Sequence, residues 1–306
     1  MTRDAERPET DARRAGLGIL FAFLAPALLI YAAFTVYPVL RTFYNAFHAI
    51  KPQGVVEFVG LSNFTTLLLA DTVFWKAVWN TVLFTIVATL VDVVGGLLLA
   101  LCLFAQPLFA RFFRVVWFTP VLMSYVVVGI LWVWIFDYDW GLANAILRWL
   151  GLGSLEQSWL GHPSTALWSV LVAHEWKWLG FNMIVFLAAL HALPGEVLGA
   201  AELDNCGWFA KLVYIIAPML RATIVNLLVL SFIGKMMVFD LIWVMTGGGP
   251  LWSTETVSTY VYKRAFEWNT FDLGYPSAIA VLWFIIILAF VAVVNRWLRR
   301  RDKLEF

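Results

Sequence analysis

The sequence predicts an all-α polytopic membrane protein, a bundle of six transmembrane helices. Three observations carry that expectation. Of its 306 residues 62% are hydrophobic and only 13% charged, and the mean hydropathy of +0.83 is far above that of a soluble domain. Six stretches of about 20 residues run with almost no charge, each long enough to cross about 30 Å of hydrocarbon as a helix. The basic residues also segregate strongly between alternate connecting segments.

Taken in order, the first fourteen residues are polar and charged up to Arg14. The apolar run that follows, Ala15 to Tyr37, is too long for a signal-peptide core and reads as a retained first helix. The six segments run roughly Gly16 to Tyr37, Trp79 to Leu103, Val115 to Phe136, Ala166 to Leu190, Met219 to Met245 and Ser277 to Trp297. They lack the ten-residue alternation of barrel strands, and backbone groups in lipid must be satisfied internally, so a helical bundle follows. Pro26 and Gly95-Gly96 fall inside spans, where such residues mark kinks or close helix contacts. The domain reading is a cytoplasmic tail over 1–14, one membrane domain over 15–297 and a basic tail over 298–306, with no internal repeat or linker.

One set of connecting segments holds Arg3, Arg7, Arg13, Arg14, Arg111, Arg114, Lys211, Arg221, Arg296, Arg299, Arg300, Arg301 and Lys303. The alternate set holds only Arg41, Lys51, Lys76, Arg148, Lys263 and Arg264. The positive-inside rule therefore places both termini in the cytoplasm. The long outer loops would be Leu40 to Val78, Asp137 to Thr165 and Thr246 to Pro276.

Several chemistries find no support. The net charge of +1 does not point to nucleic acid. Cys102 and Cys206 have neither disulfide nor CxxC spacing, and His48, His162, His174 and His191 are scattered without metal-ligand spacing. No nucleophile, base and acid can be grouped, so no catalytic residue is assigned. Gly247-Gly248-Gly249-Pro250 lacks the Lys and Ser/Thr of a phosphate loop, and the chain is expected to bind no cofactor and hydrolyse no ATP. Thr246 to Pro250 reads instead as a helix C-cap and turn, with direct solute contact as the second reading.

The internal segment from Pro194 to Pro218 is too long and patterned for a bare turn. Glu196 to Leu203 suits a short helix with small residues on one face, Asp204 to Gly207 supplies turn chemistry, and Trp208, Phe209 and Leu212 give a second short helix an apolar face. Two readings stand: a helix docking on another protein, or a hairpin resting on lipid headgroups.

This segment resembles the internal loop of the permease subunits of carbohydrate ABC importers of the maltose and glycerol-phosphate type, approximately P-x-E-L-x-E-A-A-x-x-D-G-A-G followed by L-P. Pro194, Glu196, Ala200, Ala201, Asp204, Gly207 and Pro218 match, while Gly199 stands for the family glutamate, Asn205-Cys206 for Gly-Ala and Ala217 for leucine. The resemblance extends to Val59-Gly60-Leu61 with Asn63-Phe64, Asn80-Thr81, Phe239-Asp240-Leu241-Ile242, Thr246 to Pro250, Ser253-Thr254-Glu255-Thr256, and Phe271, Gly274, Ser277 and Ala278. It implies a multi-pass inner-membrane permease of a bacterial-type cell. The partners implied are a second homologous permease, two ATPase subunits that use ATP and Mg, an extracytoplasmic solute-binding protein and a sugar-like solute, within membrane lipid. It also implies that Glu196, Gly199, Ala200, Ala201, Asp204 and Gly207 form the loop that couples to the ATPase.

Charges inside spans cost several kcal/mol unless they face a wet cavity or a partner, which singles out Asp92, Glu175, Lys177, Lys235 and Asp240. Helix rise puts Glu175 roughly 14 Å and Lys235 roughly 15 Å from the outer ends of their spans, deep enough to meet as a pair. Trp176, Trp178, His174 and Asn182 lie nearby in sequence. Glu175, Trp176, Lys177, Asn182, Lys235 and Asp240 are thus the candidates for a solute pathway, since a sugar needs hydrogen-bonding groups and flat apolar surfaces. The alternatives are a structural ion pair with lipid-facing tryptophans, an ion-coupled secondary transporter using the same charges, or a membrane enzyme built on His174 and Glu175, for which no metal or nucleophile is at hand.

Overall fold

The structure, a computed structural model, describes residues 23–50, 55–268 and 272–302. Arg3, Arg7, Arg13, Arg14, Lys51, Phe271 and Lys303, and the start of the first apolar segment, lie outside the described residues. Helix α1 covers Phe23–Asn45 and leads into a short antiparallel pair, β1 (His48–Ile50) and β2 (Val56–Phe58), with His48 opposite Phe58. There follow α2 (Ser62–Leu69), α3 (Thr72–Phe104), α4 (Ala110–Phe118), α5 (Tyr125–Ile135), α6 (Leu142–Trp149), α7 (Ala166–His191) and α8 (Gly195–Leu203). The chain closes with α9 (Trp208–Met219), α10 (Arg221–Met236), α11 (Asp240–Thr246), α12 (Val257–Tyr262) and α13 (Gly274–Asp302).

The sequence suggests six spans, and the structure breaks some of them into shorter helices. Among the described residues α1, α3 and α13 are long and apolar enough to cross a membrane alone, and six spans are reached only by counting bent pairs. The third segment breaks where Pro120 cannot donate to a helix, giving a bend of 106° before α5. The fifth breaks after Met236, so that its last residues form the separate α11. The β pair and the short outer helices α2 and α6 carry no hydropathy signal and are absent from the sequence reading.

The inward faces of the long helices are marked by polar and small residues. Thr81, Thr85, Thr89, Asp92 and Gly96 recur at helical spacing on α3 and all are buried, while Leu90, Val94 and Leu98 on the other side are exposed. Lipid is as apolar as leucine, so small residues that permit close approach decide which face packs. A Cβ on Gly96 would lie 2.6 Å from that of Asn182, and α3 makes its most extensive packing with α7. Gly180 is pressed on the backbone of Trp117 so closely that any side chain would overlap it.

Three large apolar clusters result, beside a smaller one at Ala46, Ala278 and Val281. One joins Phe84, Ala88, Val128, Val170, Leu241 and Ile242 from α3, α5, α7 and α11. A second joins Val93, Met183, Phe186, Ile216 and Leu227 from α3, α7, α9 and α10. The third gathers Phe74, Met236, Val257, Tyr260, Ile279 and Trp283 toward α12 and α13. Between the first two, α3 contributes Asp92 and α7 contributes His174 to Asn182.

Candidate functional site

A cavity of about 350 Å³ opens at that level, lined from α3 by Asp92, from α7 by His174, Trp178, Phe181 and Asn182, and from α10 by Ser231, Gly234 and Lys235. Tyr125, at the start of α5, completes it, and its hydroxyl accepts a 2.6 Å hydrogen bond from the Trp178 indole. The volume is at the small end of small-molecule sites, which run about 300–1,000 Å³. Asp92, His174, Asn182 and Lys235 are all at most 4% exposed.

The charges are arranged differently from the sequence expectation. Lys235 donates to Asp92 Oδ2, which also accepts from Ser231 Oγ at 3.2 Å. Glu175 is therefore not the direct partner of Lys235; its Oε1 accepts from His174 Nδ1 at 3.0 Å, although the carboxyl interacts electrostatically with both Asp92 and Lys235. Depth arithmetic placed Glu175 and Lys235 at one level but could not say which helix faces which. The stripe Thr81, Thr85, Thr89, Asp92 was the available signal for the missed partner, because it aims Asp92 into the bundle. Tyr125 and Ser231, ordinary residues in an apolar run, offered no such signal.

Besides Glu175, three more pathway candidates lie outside the cavity lining. Trp176 packs against Trp132 at 5.8 Å within the first apolar cluster. Asp240 starts α11 and is exposed. Lys177 is buried with its ammonium on the carbonyls of Pro120, Val121 and Met123 at 3.3, 3.0 and 2.5 Å, so it ties down the backbone where the third span breaks. Lys177→Met should lower thermal stability by about 1.5–3 kcal/mol, read as a lower unfolding temperature of the purified protein, while solute affinity stays unchanged. A loss of affinity at full stability would return Lys177 to the pathway.

The outer motifs assemble into a scaffold. Asn80 Nδ2 donates to the carbonyls of Trp252 and Glu255, both at 2.9 Å, and Thr81 Oγ1 accepts from the Val257 N–H at 3.0 Å. Glu255 pairs with Lys263 at 2.5 Å beneath the loop, and Thr256 and Thr259 form a capping box that starts α12. Gly247, at φ 56°, ends α11 with its N–H on Ile242 O, the C-cap that the turn reading anticipates. Asp71 caps α3 through the Phe74 N–H and accepts from the hydroxyls of Tyr260 and Tyr275, both at 2.5 Å. Burial pushes the Asp71 carboxyl up, but these donors and Arg264 outweigh it and hold the group below its usual range.

At the opposite end, α8 stands out from the bundle at 80° to α7. Asn205 turns the chain at φ 52°, with Cys206 N–H on Ala201 O at 3.0 Å, and Glu202 reaches Lys211 of α9 at 2.8 Å. That hydrogen bond and charge hold the Glu202 carboxyl below its ordinary value. Glu196, Ala200, Asp204 and Gly207 are exposed and Gly199 is half-buried, whereas Ala201 is buried. The sequence reading put both alanines on the docking face; in fact Leu198 and Ala201 face the chain's own bundle.

Comparison with known proteins adds the family. The probable ABC transporter permease protein YurN of Bacillus subtilis is 34% identical over 89% of this chain and 92% of its own length. The trehalose/maltose transport system permease protein MalF of Thermococcus litoralis is 32% identical over 95% and 96%. The fold is also that of a chain in the crystal structure of a bacterial alginate ABC transporter in complex with its alginate pentasaccharide-bound periplasmic protein, with a TM-score of 0.83 over 97% of this chain and 99% of that one at 24% identity. Residues 107–303 match the family of binding-protein-dependent transport system inner membrane components, and the chain belongs to that family, as a membrane permease subunit of an ABC importer.

Proposed function

We propose that this permease carries a sugar or sugar-like solute through the cavity at Asp92, Asn182 and Lys235, in partnership with a second homologous permease, two cytoplasmic ATPase subunits and an extracytoplasmic binding protein. The observation that carries the reading is a polar, aromatic-walled cavity deep in an apolar bundle, where unpaired polar groups are costly. Sugar relatives such as the trehalose/maltose permease support the solute class. The helix α8 is the element that seats in the ATPase, through Glu196, Gly199, Ala200, Asp204 and Gly207. A Cβ at Gly199 or Gly207 would meet nothing of this chain within 4 Å, so the small residues there serve something outside it. The grouping of thirteen basic residues in one set of connecting segments supports a cytoplasmic position for α8 and both termini. The chain itself holds no phosphate loop, so ATP and Mg act in the partner subunits. Family membership leaves the ion-coupled alternative without support.

The test uses proteoliposomes of the assembled importer. Uptake is expected only with ATP on the ATPase side and the binding protein on the other, and the purified chain alone should hydrolyse no ATP. Robust hydrolysis by the chain alone, or full uptake driven by a proton gradient without ATP, would overturn the proposal.

A further inference from the structure

We infer that the cavity accepts uncharged polyhydroxyl solutes and turns away anionic sugars, an inference that rests on the pathway reading above. Solutes of both kinds occur in the wider group: one structural relative imports the acidic polysaccharide alginate, and one sequence relative is named for trehalose and maltose. Similarity therefore does not decide between them, and the charges at the site do.

A site for a carboxylate or sulfonate presents a cation with donors to spare. Among the described residues the one lysine or arginine lining this cavity is Lys235, and its charge is already matched by Asp92 at hydrogen-bond contact. Lys177 lies close behind, over the rings of Tyr125 and Trp178 at 5.0 and 5.6 Å, but three backbone carbonyls take its three N–H groups. His174 and Glu175 form a second matched pair when both are charged, and when only Glu175 is charged the balance turns negative. Asp240, which also acts on Tyr125, adds another negative charge on that side. In the ordinary protonation states the lining thus carries no surplus positive charge.

The unmet hydrogen-bonding groups point the same way. Asn182 Oδ1, Asp92 Oδ1 and Glu175 Oε2 are buried acceptors without a donor, and the first two belong to residues of the cavity wall. Should Glu175 and Asp92 share one proton between those two oxygens, Asn182 Oδ1 still lacks a donor and the charge balance only returns to zero. Buried just behind the surface, acceptors of this kind disfavour a carboxylate in the cavity, while Trp178 and Phe181 of the wall offer flat apolar surface to a sugar ring.

The experiment measures equilibrium binding to the assembled importer in nanodiscs without binding protein. The probes are radiolabelled glucose, galactose, arabinose, trehalose and maltose, and the uronic acids glucuronate and galacturonate as the matched anions of the first two. The expected result is binding of at least one neutral sugar, at an affinity about tenfold or more above that of any uronate. Asp92→Asn, which leaves Lys235 unmatched, should shrink or invert that gap. Asp92→Asn/Lys235→Met, which restores neutrality and is checked for folding by size-exclusion chromatography, should keep it. Uronates bound as tightly as neutral sugars by the unaltered importer, or a gap that persists unchanged in a folded Asp92→Asn importer, would overturn the inference and leave the pathway reading standing. The pathway reading fails separately if no sugar binds and Gly234→Trp, a bulky substitution at a residue of the cavity wall with open space around it, leaves ATP-driven uptake intact.

Discussion

Asp92→Asn and Lys235→Met will each destabilise the permease severely, and the double substitution will restore most of what either one loses. The pair is almost wholly buried, with side chains 1% and 5% exposed, so removing one member strands the other in a medium of low dielectric. Losing one partner of a buried pair costs about 3–5 kcal/mol, whereas replacing both by uncharged groups is often nearly neutral. Ser231 also donates to the same carboxylate oxygen, so the Asn variant keeps part of the hydrogen bonding and Lys235→Met should be the less forgiving of the two. The measurement is a double-mutant cycle on the thermal unfolding of the purified protein. Glu175→Gln serves as the control, because Glu175 meets His174 rather than Lys235 directly. Additive losses in the Asp92–Lys235 cycle, with strong coupling in a Glu175–Lys235 cycle instead, would show that the charges pair as depth alone suggested.

That reversal shows what a sequence of this type makes legible. Span existence follows from hydropathy, because a bilayer imposes length and composition on every segment. The partner of Lys235 depends on rotation about helix axes. For α3 the small and polar stripe ending in Asp92 and Gly96 carries that information, but on α7 polar residues occur on several faces and sequence cannot separate His174 and Asn182, which line the cavity, from Lys177, which ties down a break. Breaks are equally hard to read. Pro120 marks one, whereas the end of α10 at Met236 is preceded only by Gly234, and a lone glycine in an apolar run does not announce a break. The outer motifs are a different case: Asn80, Thr81, Glu255 and Thr256 are recognisable far apart in the chain, and only in three dimensions do they become one set of hydrogen bonds joining α3 to α12.

Ala200→Trp will leave the permease folded and inserted but will weaken its docking to the ATPase by about five- to a hundredfold. Ala200 sits on the outer side of α8 in a stripe with Glu196 and Leu203, and Leu203 is 88% exposed although leucine in water is unfavourable. A helix held at 80° to its span, with small residues facing outward and a large apolar one beside them, has the surface of a close protein contact. Tryptophan forced into such a contact costs about 1–3 kcal/mol, which sets the expected loss of affinity. The neighbouring Ala201 reports something else. It is 5% exposed against its own chain, so Ala201→Trp overpacks the permease itself and should appear as reduced folded yield before any docking is measured. The two variants together therefore separate partner contact from internal packing. Co-purification with the ATPase and coupled uptake are the readouts, with size-exclusion behaviour of the isolated permease as the folding check. Unchanged co-purification and uptake by a folded Ala200→Trp permease would remove α8 as the docking element, and its exposed Leu203 would then belong to a hairpin lying on the lipid surface.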